Sequence, residues 1–385
     1  MSTFAGRKLW FVGIGGAGLS AYAQLARAWG AEIGGWDRVR TPYLDALDDL
    51  RIEITDQPVV PDGWEAVVSS AYPSVPGLRR SEFLRELVAV RESVVVAGTH
   101  GKGTTAAMIA FVLRETGRDP AWLIGAPVPQ LGSNAGAGAG PLIVEGDESD
   151  RTVFSLPAAI AVVTNVELDH HSEFASLDEL NAAFDEWCAT VPKVVRDAPP
   201  FSGQLALPGE HNRRNAGAAL AALELLGVPR DDAGHTIAGF TGTGRRFEVH
   251  ELDGLTIVDD YGHHPSEIAE TLAAVRERYQ GRRVRVLFQP HLYSRTRHLA
   301  RELAAALSAA DDIAVTDVYP AREAPIDGVT GKLVVDELSD LGVLAAWEPT
   351  VEQGVEHVRR AARRGDVVLV IGAGDVDRAV GLLRV

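Results

Sequence analysis

The stretch Val94-Val95-Val96-Ala97-Gly98-Thr99-His100-Gly101-Lys102-Gly103-Thr104-Thr105 leaves the chain few folding options. A β-branched run favours a strand, glycines turn it, and the residues from Ala106 onward carry a helical pattern. Strand, glycine turn and helix in that order open a parallel crossover unit. They set a nest of backbone N–H groups at a helix N-terminus, where an anion is favoured. Lys102 adds a mobile positive charge suited to β/γ-phosphates, and a threonine hydroxyl, from Thr104 or Thr105, can ligate Mg²⁺. The chain has four lysines (Lys8, Lys102, Lys193 and Lys332), so one at this turn is a selective use of a rare residue. The match to the full phosphate-loop pattern is imperfect, with Val96 where its first glycine belongs and Gly103 after the lysine. A plain strand-to-helix turn is the competing reading.

The same alternation of apolar runs and helical segments continues from end to end, which predicts α/β architecture with parallel sheets. Strands are expected at 8–12, 31–36, near Ile52 and Val67, and at 94–97, 141–145 and 158–164. Others are expected at 255–258, 283–288, 313–316 and 367–371, and helices near 19–29 and 213–226. The pattern divides into three blocks, 1–92, 93–241 and 242–385. Residues 132–141 (GSNAGAGAGP) read as a flexible loop, and 193–207 as a polar, proline-punctuated linker. A net charge of −16 argues against nucleic-acid binding and against anionic membranes, because both need basic surface. The one cysteine, Cys188, excludes an internal disulfide framework and falls in a helical pattern. No apolar run approaches the roughly 18 residues of a membrane span, and no signal peptide is recognisable, so a cytoplasmic protein is expected.

Polar clusters recur where apolar runs end, the crevice side of an open α/β sheet. Gly13-Ile14-Gly15-Gly16-Ala17-Gly18 follows the first strand, and Asp37 ends the next one, about twenty residues on, as in the dinucleotide fingerprint. The glycines admit a pyrophosphate without saying which: a nicotinamide cofactor and a UDP-sugar satisfy the same geometry. Glu145-Gly146-Asp147-Glu148-Ser149-Asp150 ends another run, where a carboxylate can hold Mg²⁺. Residues 164–171, with Glu167, Asp169, His170 and His171, offer metal-ligand chemistry. Residues 259–265 and 289–297 place acids, histidines and arginines after two further runs, and the arginines suit a carboxylate or phosphate clamp.

Taken together these segments resemble the Mur ligase family over nearly the whole chain. GIGGAGLS at Gly13, VVSSAYP at Val67, GTHGKGTT at Gly98, EGDESD at Glu145 and TNVELDHH at Thr164 appear in the family's order. PGEHNRRNA at Pro208, GTGRRFE at Gly242, DDYGHHPSE at Asp259 and QPHLYSRTR at Gln289 follow. The resemblance implies a three-domain architecture. A Rossmann-like domain would bind a UDP-sugar, a central domain of phosphate-loop type would bind ATP, and a Rossmann-like C-terminal domain would bind an amino acid. The implied activity is ATP-dependent joining of L-alanine to the lactyl carboxylate of UDP-N-acetylmuramate through an acyl phosphate, with Mg²⁺. A sister reaction with another amino acid or a murein tripeptide is the alternative.

By the same resemblance, Gly13, Ile14, Gly15, Gly16, Ala17, Gly18, Asp37, Ser69 and Ser70 would hold the UDP-sugar. Gly98, Thr99, His100, Gly101, Lys102, Gly103, Thr104, Thr105, Asn212, Asn215, Arg246 and Asp260 would hold ATP. Thr104, Glu145 and His170 would hold the metal, and Lys102, Glu145, His170 and Asp260 would be catalytic. Tyr261, His263 and Arg295 would face the amino acid. The partners implied are small molecules only, with a monomer or homodimer left open. Three departures stand out. The chain is short between Val191 and Gln204, Gly103 replaces the usual threonine, and Leu292 replaces an arginine, with Arg295 or Arg297 as substitutes.

Overall fold

The structure is a computed structural model that describes residues 4–169, 173–321 and 323–384. It contains three sheets in two compact units. The first unit comprises Met1–Asp169, Glu173–Gln204 and Arg214–Phe240; the second comprises Leu205–Arg213 and Thr241–Val385.

The first sheet is fully parallel, with β1 (Lys8–Val12) at its centre. β2 (Glu32–Asp37), β3 (Arg51–Ile54), β4 (Glu65–Val68) and β5 (Leu78–Arg79) complete the order β3-β2-β1-β4-β5. Two glycines inside β2 would ordinarily weaken a strand. Here Trp10 and Ile14 fill the space that Cβ atoms at Gly34 and Gly35 would need, so each glycine admits a larger neighbour. Helix α1 (Ala17–Ala28) follows β1, and α2 (Arg80–Ala89) follows β5.

The second sheet has the order β11-β10-β6-β9-β7-β8. Its strands are β6 (Ser93–Ala97), β7 (Ala121–Val128), β8 (Ser133–Ala137), β9 (Leu142–Glu145), β10 (Ile160–Val163) and β11 (Lys193–Val195). Every residue of β6 is buried, as expected for a central parallel strand covered on both faces. Helices α3 (Lys102–Glu115), α4 (Leu177–Ala189), α5 (Glu210–Leu225) and α6 (Arg230–Ile237) accompany it. Helix α1 also packs on β7 and β8, and one apolar core runs from Phe11 and Leu19 to Val95 and Leu123. Cys188 packs at the edge of that core, half-buried.

Two sequence expectations need correction here. The glycine-rich stretch 132–141 is not a flexible loop: β8 pairs antiparallel with β7. Its glycines serve packing, since a Cβ at Gly136 would collide with the Trp122 ring. Nor is 193–207 only a linker. Its first residues form β11 beside β10, and the Pro199 carbonyl lies against α5 where Gly217 lacks a side chain.

The third sheet, in the second unit, has the order β12-β13-β17-β14-β15-β16. Its strands are β12 (Glu248–Leu252), β13 (Leu255–Asp260), β14 (Val284–Phe288), β15 (Asp312–Val315), β16 (Ala346–Trp347) and β17 (Val367–Ile371). All neighbours are parallel except β12 and β13, which form a hairpin across Asp253 and Gly254. Both turn residues have positive φ (46° and 86°), which the Asp-Gly pair tolerates best. Helices α7 (Pro265–Arg278), α8 (Tyr293–Leu307), α9 (Lys332–Asp340), α10 (Val351–Ala361) and α11 (Arg378–Leu383) complete the unit. Among the described residues no helix is long and apolar enough to cross a membrane.

Candidate active site

The turn between β6 and α3 is fixed by backbone chemistry. Gly98 (φ 120°) and Gly101 (φ 78°) adopt conformations that side chains disfavour. A Cβ at Gly98 would strike Thr164, and one at Gly101 would strike the Asn215 amide. Residues after β10 staple the turn. Thr99 N donates to Asn165 O at 3.0 Å, and His100 N donates to Asn165 Oδ1 at 2.9 Å. Thr99 Oγ1 donates to Glu167 O at 2.9 Å. Those bonds occupy the front of the turn, so the donors left for an anion are the first-turn N–H groups of α3.

Lys102 is 16% exposed and folds back over this turn. Its ammonium donates to Gly98 O (2.7 Å), Thr99 O (3.0 Å) and Glu148 Oε1 (3.1 Å). Burial pulls its pKa down, but Glu148, Asp147 and Glu145 outweigh burial and hold it above the ordinary lysine value. Lys102 is therefore charged throughout the neutral range, its three donors pointed inward. Thr104 is 6% exposed, whereas Thr105 is wholly buried and its Oγ1 has no hydrogen-bond partner.

Glu145 ends β9 and lies over two missing side chains. A Cβ at Gly103 would come within 3.1 Å of its carboxylate, and one at Gly125 within 3.0 Å. Gly125 N donates to Glu145 Oε2 at 2.6 Å, which fixes one oxygen. Gly103 thus has a structural reason, since a threonine there would crowd Glu145. Asp147 accepts from Ser149 N at 2.9 Å. Burial alone would raise its pKa, but that bond, Lys102 and Arg80 pull it below the usual carboxylate range. Carboxylate and hydroxyl oxygens grouped around a lysine suit a hard cation such as Mg²⁺.

The turn after β1 is built alike but braced by an acid. Gly13 has φ 88°, and its missing Cβ leaves room for Ser69 and Tyr72. Gly13 N and Ile14 N donate to Trp36 O (2.8 and 3.2 Å), and Gly16 N donates to Gly13 O. The Ile14 side chain is fully buried. Asp37, 8% exposed, accepts from Gly15 N (2.7 Å) and Arg38 N (2.7 Å). Asp37 therefore ties the turn to β2 through Oδ2, and the first-turn N–H groups of α1 remain for a ligand. Ser69 N donates to Val12 O at 3.0 Å, and Ser70 is exposed beside it.

In the second unit Asp260, at the end of β13, accepts from Gly262 N (2.8 Å) and Phe247 N (2.9 Å). Burial raises its pKa against the pull of Arg246. Its neighbour Asp259 is pushed up to about 6, mainly by burial, with Arg245 opposing. Arg246 pairs with Glu267 at 3.3 Å and lies 5.1 Å from the Tyr261 ring. Glu267 also caps α7, accepting from His263 N (3.0 Å) and His264 N (3.3 Å). Rings then line up across three strand ends. Tyr261 and His263 are 5.7 Å apart, His263 and His291 5.6 Å, and His291 and Tyr319 5.8 Å and stacked. Arg295 is 4% exposed, with its Nη1 3.2 Å from both His291 Nδ1 and His291 O. Arg297 is exposed. Leu292 holds φ 69° and ψ 131°, a conformation a leucine rarely adopts.

The sequence-selected residues therefore fall into separate groups. Asn215 lies against the phosphate-type turn, whereas Asn212 donates to Pro208 O at 2.6 Å within the second unit. His170 lies outside the described residues. Sequence reasoning passed over Glu148 as the Lys102 partner, although it stands inside the acidic motif. It also passed over Glu267, and it could not place His291 and Tyr319, which only the strand order brings beside Tyr261 and His263.

Residues 245–374 match the family model described as Mur ligase, glutamate ligase domain. The UDP-N-acetylmuramate–L-alanine ligase of Renibacterium salmoninarum is 37% identical, over 96% of this chain and 93% of its own. That alignment spans 438 positions against a chain of 385, so the relative carries segments absent here. The crystal structure of the UDP-N-acetylmuramate–alanine ligase from Thermotoga maritima superposes with a TM-score of 0.78, at 25% identity over 98% of both chains. A murein peptide ligase from Psychrobacter arcticus shares the fold, with a TM-score of 0.64 at 20% identity over 98% of both chains.

Proposed function

The chain belongs to the Mur ligase family, and from that premise we propose that it joins L-alanine to UDP-N-acetylmuramate at the expense of ATP, a step of peptidoglycan synthesis. The observation that carries this reading is the turn at Gly98 and Gly101, with Lys102 held against an acidic loop on the next strand.

The proposed chemistry has two steps. The lactyl carboxylate attacks the γ-phosphorus of ATP, ADP leaves, and an acyl phosphate forms. The alanine amine then attacks the acyl carbon, the C–O bond to phosphate breaks, and phosphate leaves as the amine loses a proton. Such transfer relies on positioning and charge neutralisation. Lys102 exchanges its carbonyl and Glu148 contacts for the ATP phosphates and offsets charge on the transferred group. Glu145 and Thr104 would hold Mg²⁺, together with His170; Thr104 is preferred because an ion cannot reach the fully buried Thr105. When bound there, Mg²⁺ would supply positive charge that offsets the charge of the phosphates. Residues 98–105, Asn212, Asn215, Arg246 and Asp260 serve ATP. Residues 13–18, Asp37, Ser69 and Ser70 serve the UDP-sugar, with Asp37 acting as a brace. Tyr261, His263 and Arg295 serve the amino acid. The three blocks 1–92, 93–241 and 242–385 would divide these tasks.

Phosphate release is the test, with ATP, Mg²⁺ and UDP-N-acetylmuramate supplied with and without L-alanine. Release that needs every component supports the proposal. Release restored only by another amino acid or a murein tripeptide would keep the chemistry and reassign the acceptor. No release with any of them would overturn it.

A further inference from the structure

Arg80 begins α2 in a run that shows no sign of chemistry in the sequence, yet its side chain stands between the first turn of α1 and the acidic loop after β9. On one side its Nη1 lies 3.7 Å from where a Cβ of Gly18 would be, in the first turn of α1. The buried Tyr22 of the same helix faces that guanidinium. Burial pushes its hydroxyl up to about 12 while Arg80 pulls the other way. On the other side Arg80 Nη2 donates to Asp150 Oδ2 at 2.6 Å. Residues 145–150 carry four carboxylates in six positions, and their mutual repulsion would splay the loop. Two cations oppose that. Lys102 holds Glu148 on one flank, and Arg80 holds Asp150 on the other. Asp150 also accepts from Thr152 N at 3.0 Å, so the Arg80 pair fixes a turn already formed.

We propose that Arg80 is a positioning residue for the divalent cation. Through Asp150 it holds the acidic loop so that Glu145 and Glu148 stay opposite Lys102. It also ties that loop to α1, the helix that follows the first glycine turn. The inference rests on the phosphoryl-transfer site proposed above, but not on which acid or amino acid is joined.

The experiment measures Mn²⁺ binding to the full-length protein with saturating ADP by isothermal titration, in the wild type, Arg80→Ala, Arg80→Lys and Asp150→Asn. ADP binding in EDTA is measured in parallel, and thermal melting confirms folding. Arg80→Ala and Asp150→Asn should each weaken Mn²⁺ binding about tenfold, the lower end of what outer partners of metal ligands contribute. Metal-free ADP binding should be unchanged, and Arg80→Lys should recover most of the loss. Wild-type Mn²⁺ binding in both Arg80→Ala and Asp150→Asn would overturn the proposal. So would a loss in Arg80→Ala alone, accompanied by a higher KM for UDP-N-acetylmuramate, which would mean that Arg80 contacts that substrate instead. Because this readout needs only Mn²⁺ and ADP, it remains decisive even if phosphate release assigns a different acceptor.

Discussion

Two turns in the first unit share one plan and differ in whether a cation is held inside the turn. After β1 and after β6 the chain passes through glycines with positive φ, and its own carbonyl and carboxylate groups take up the front N–H donors. Each turn leaves the first-turn N–H groups of a helix as the anion site. The first turn is braced by Asp37, and the cation beside its helix, Arg80, is turned to Asp150 of the acidic loop. The second carries Lys102, kept in place by two carbonyls and Glu148. A diphosphate that is only held needs dipoles and a fixed backbone. A phosphoryl group that is transferred also needs a mobile positive charge to follow the developing charge. On the proposed function, the difference between the turns is that between an anchor and a reaction centre.

Lys102→Ala would break this contrast most sharply. It should lower kcat by about 10²–10³, the scale of losing one preorganised charge-stabilising donor. Titration calorimetry should show UDP-N-acetylmuramate binding unchanged; a comparable loss at that site would deny the division of labour. Gly101→Ala tests whether the backbone matters as much as the charge. Strain at φ 78° and the collision with Asn215 should destabilise the protein by about 2–3 kcal/mol, read by urea unfolding.

The third sheet supplies a contrast in pH. Asp259 titrates near 6 in the folded state, above its ordinary 3.8, so the folded protein binds more protons between those values. Stability therefore falls as pH rises from about 4 to 6, by about 2 kcal/mol, and Asp259→Asn should flatten that slope. Lys102 has the same sign in a different window. Its pKa is raised, so its contribution is intact below the unfolded lysine value and fades only at strongly alkaline pH. The smallest expected effect is that of Asp37→Ala. Losing two charge-assisted bonds should cost about 1–2 kcal/mol. It should raise the KM for UDP-N-acetylmuramate but not that for ATP, and equal shifts in both would show that Asp37 is not specific to the first turn.

The strand-to-glycine-to-helix segments at residues 8–28 and 93–115 were legible because each is local: burial pattern, turn and helix follow one another without a gap. The ends of β9, β10, β13 and β14 were legible for the same reason, since apolar runs stop where polar clusters begin. Strand β8 was not, because Ser133-Asn134-Ala135-Gly136-Ala137 carries no β-forming side chains. It is a strand because Trp122 on the neighbouring strand needs a glycine surface to lie on. The same limit hid Arg80, whose role depends on Asp150, seventy positions away.

What the sequence determined by itself is the set of local instructions: where strands end, where φ must be positive, and which turn carries the lysine. Backbone sterics act between neighbours in the chain, so a linear text can record them. The tertiary structure alone decided which carboxylate holds Lys102, why Gly103 faces Glu145, and that Tyr261, His263, His291 and Tyr319 form one row. Those pairings depend on sheet order, which sets distant strand ends side by side, and Coulomb and packing energies act through space rather than along the chain.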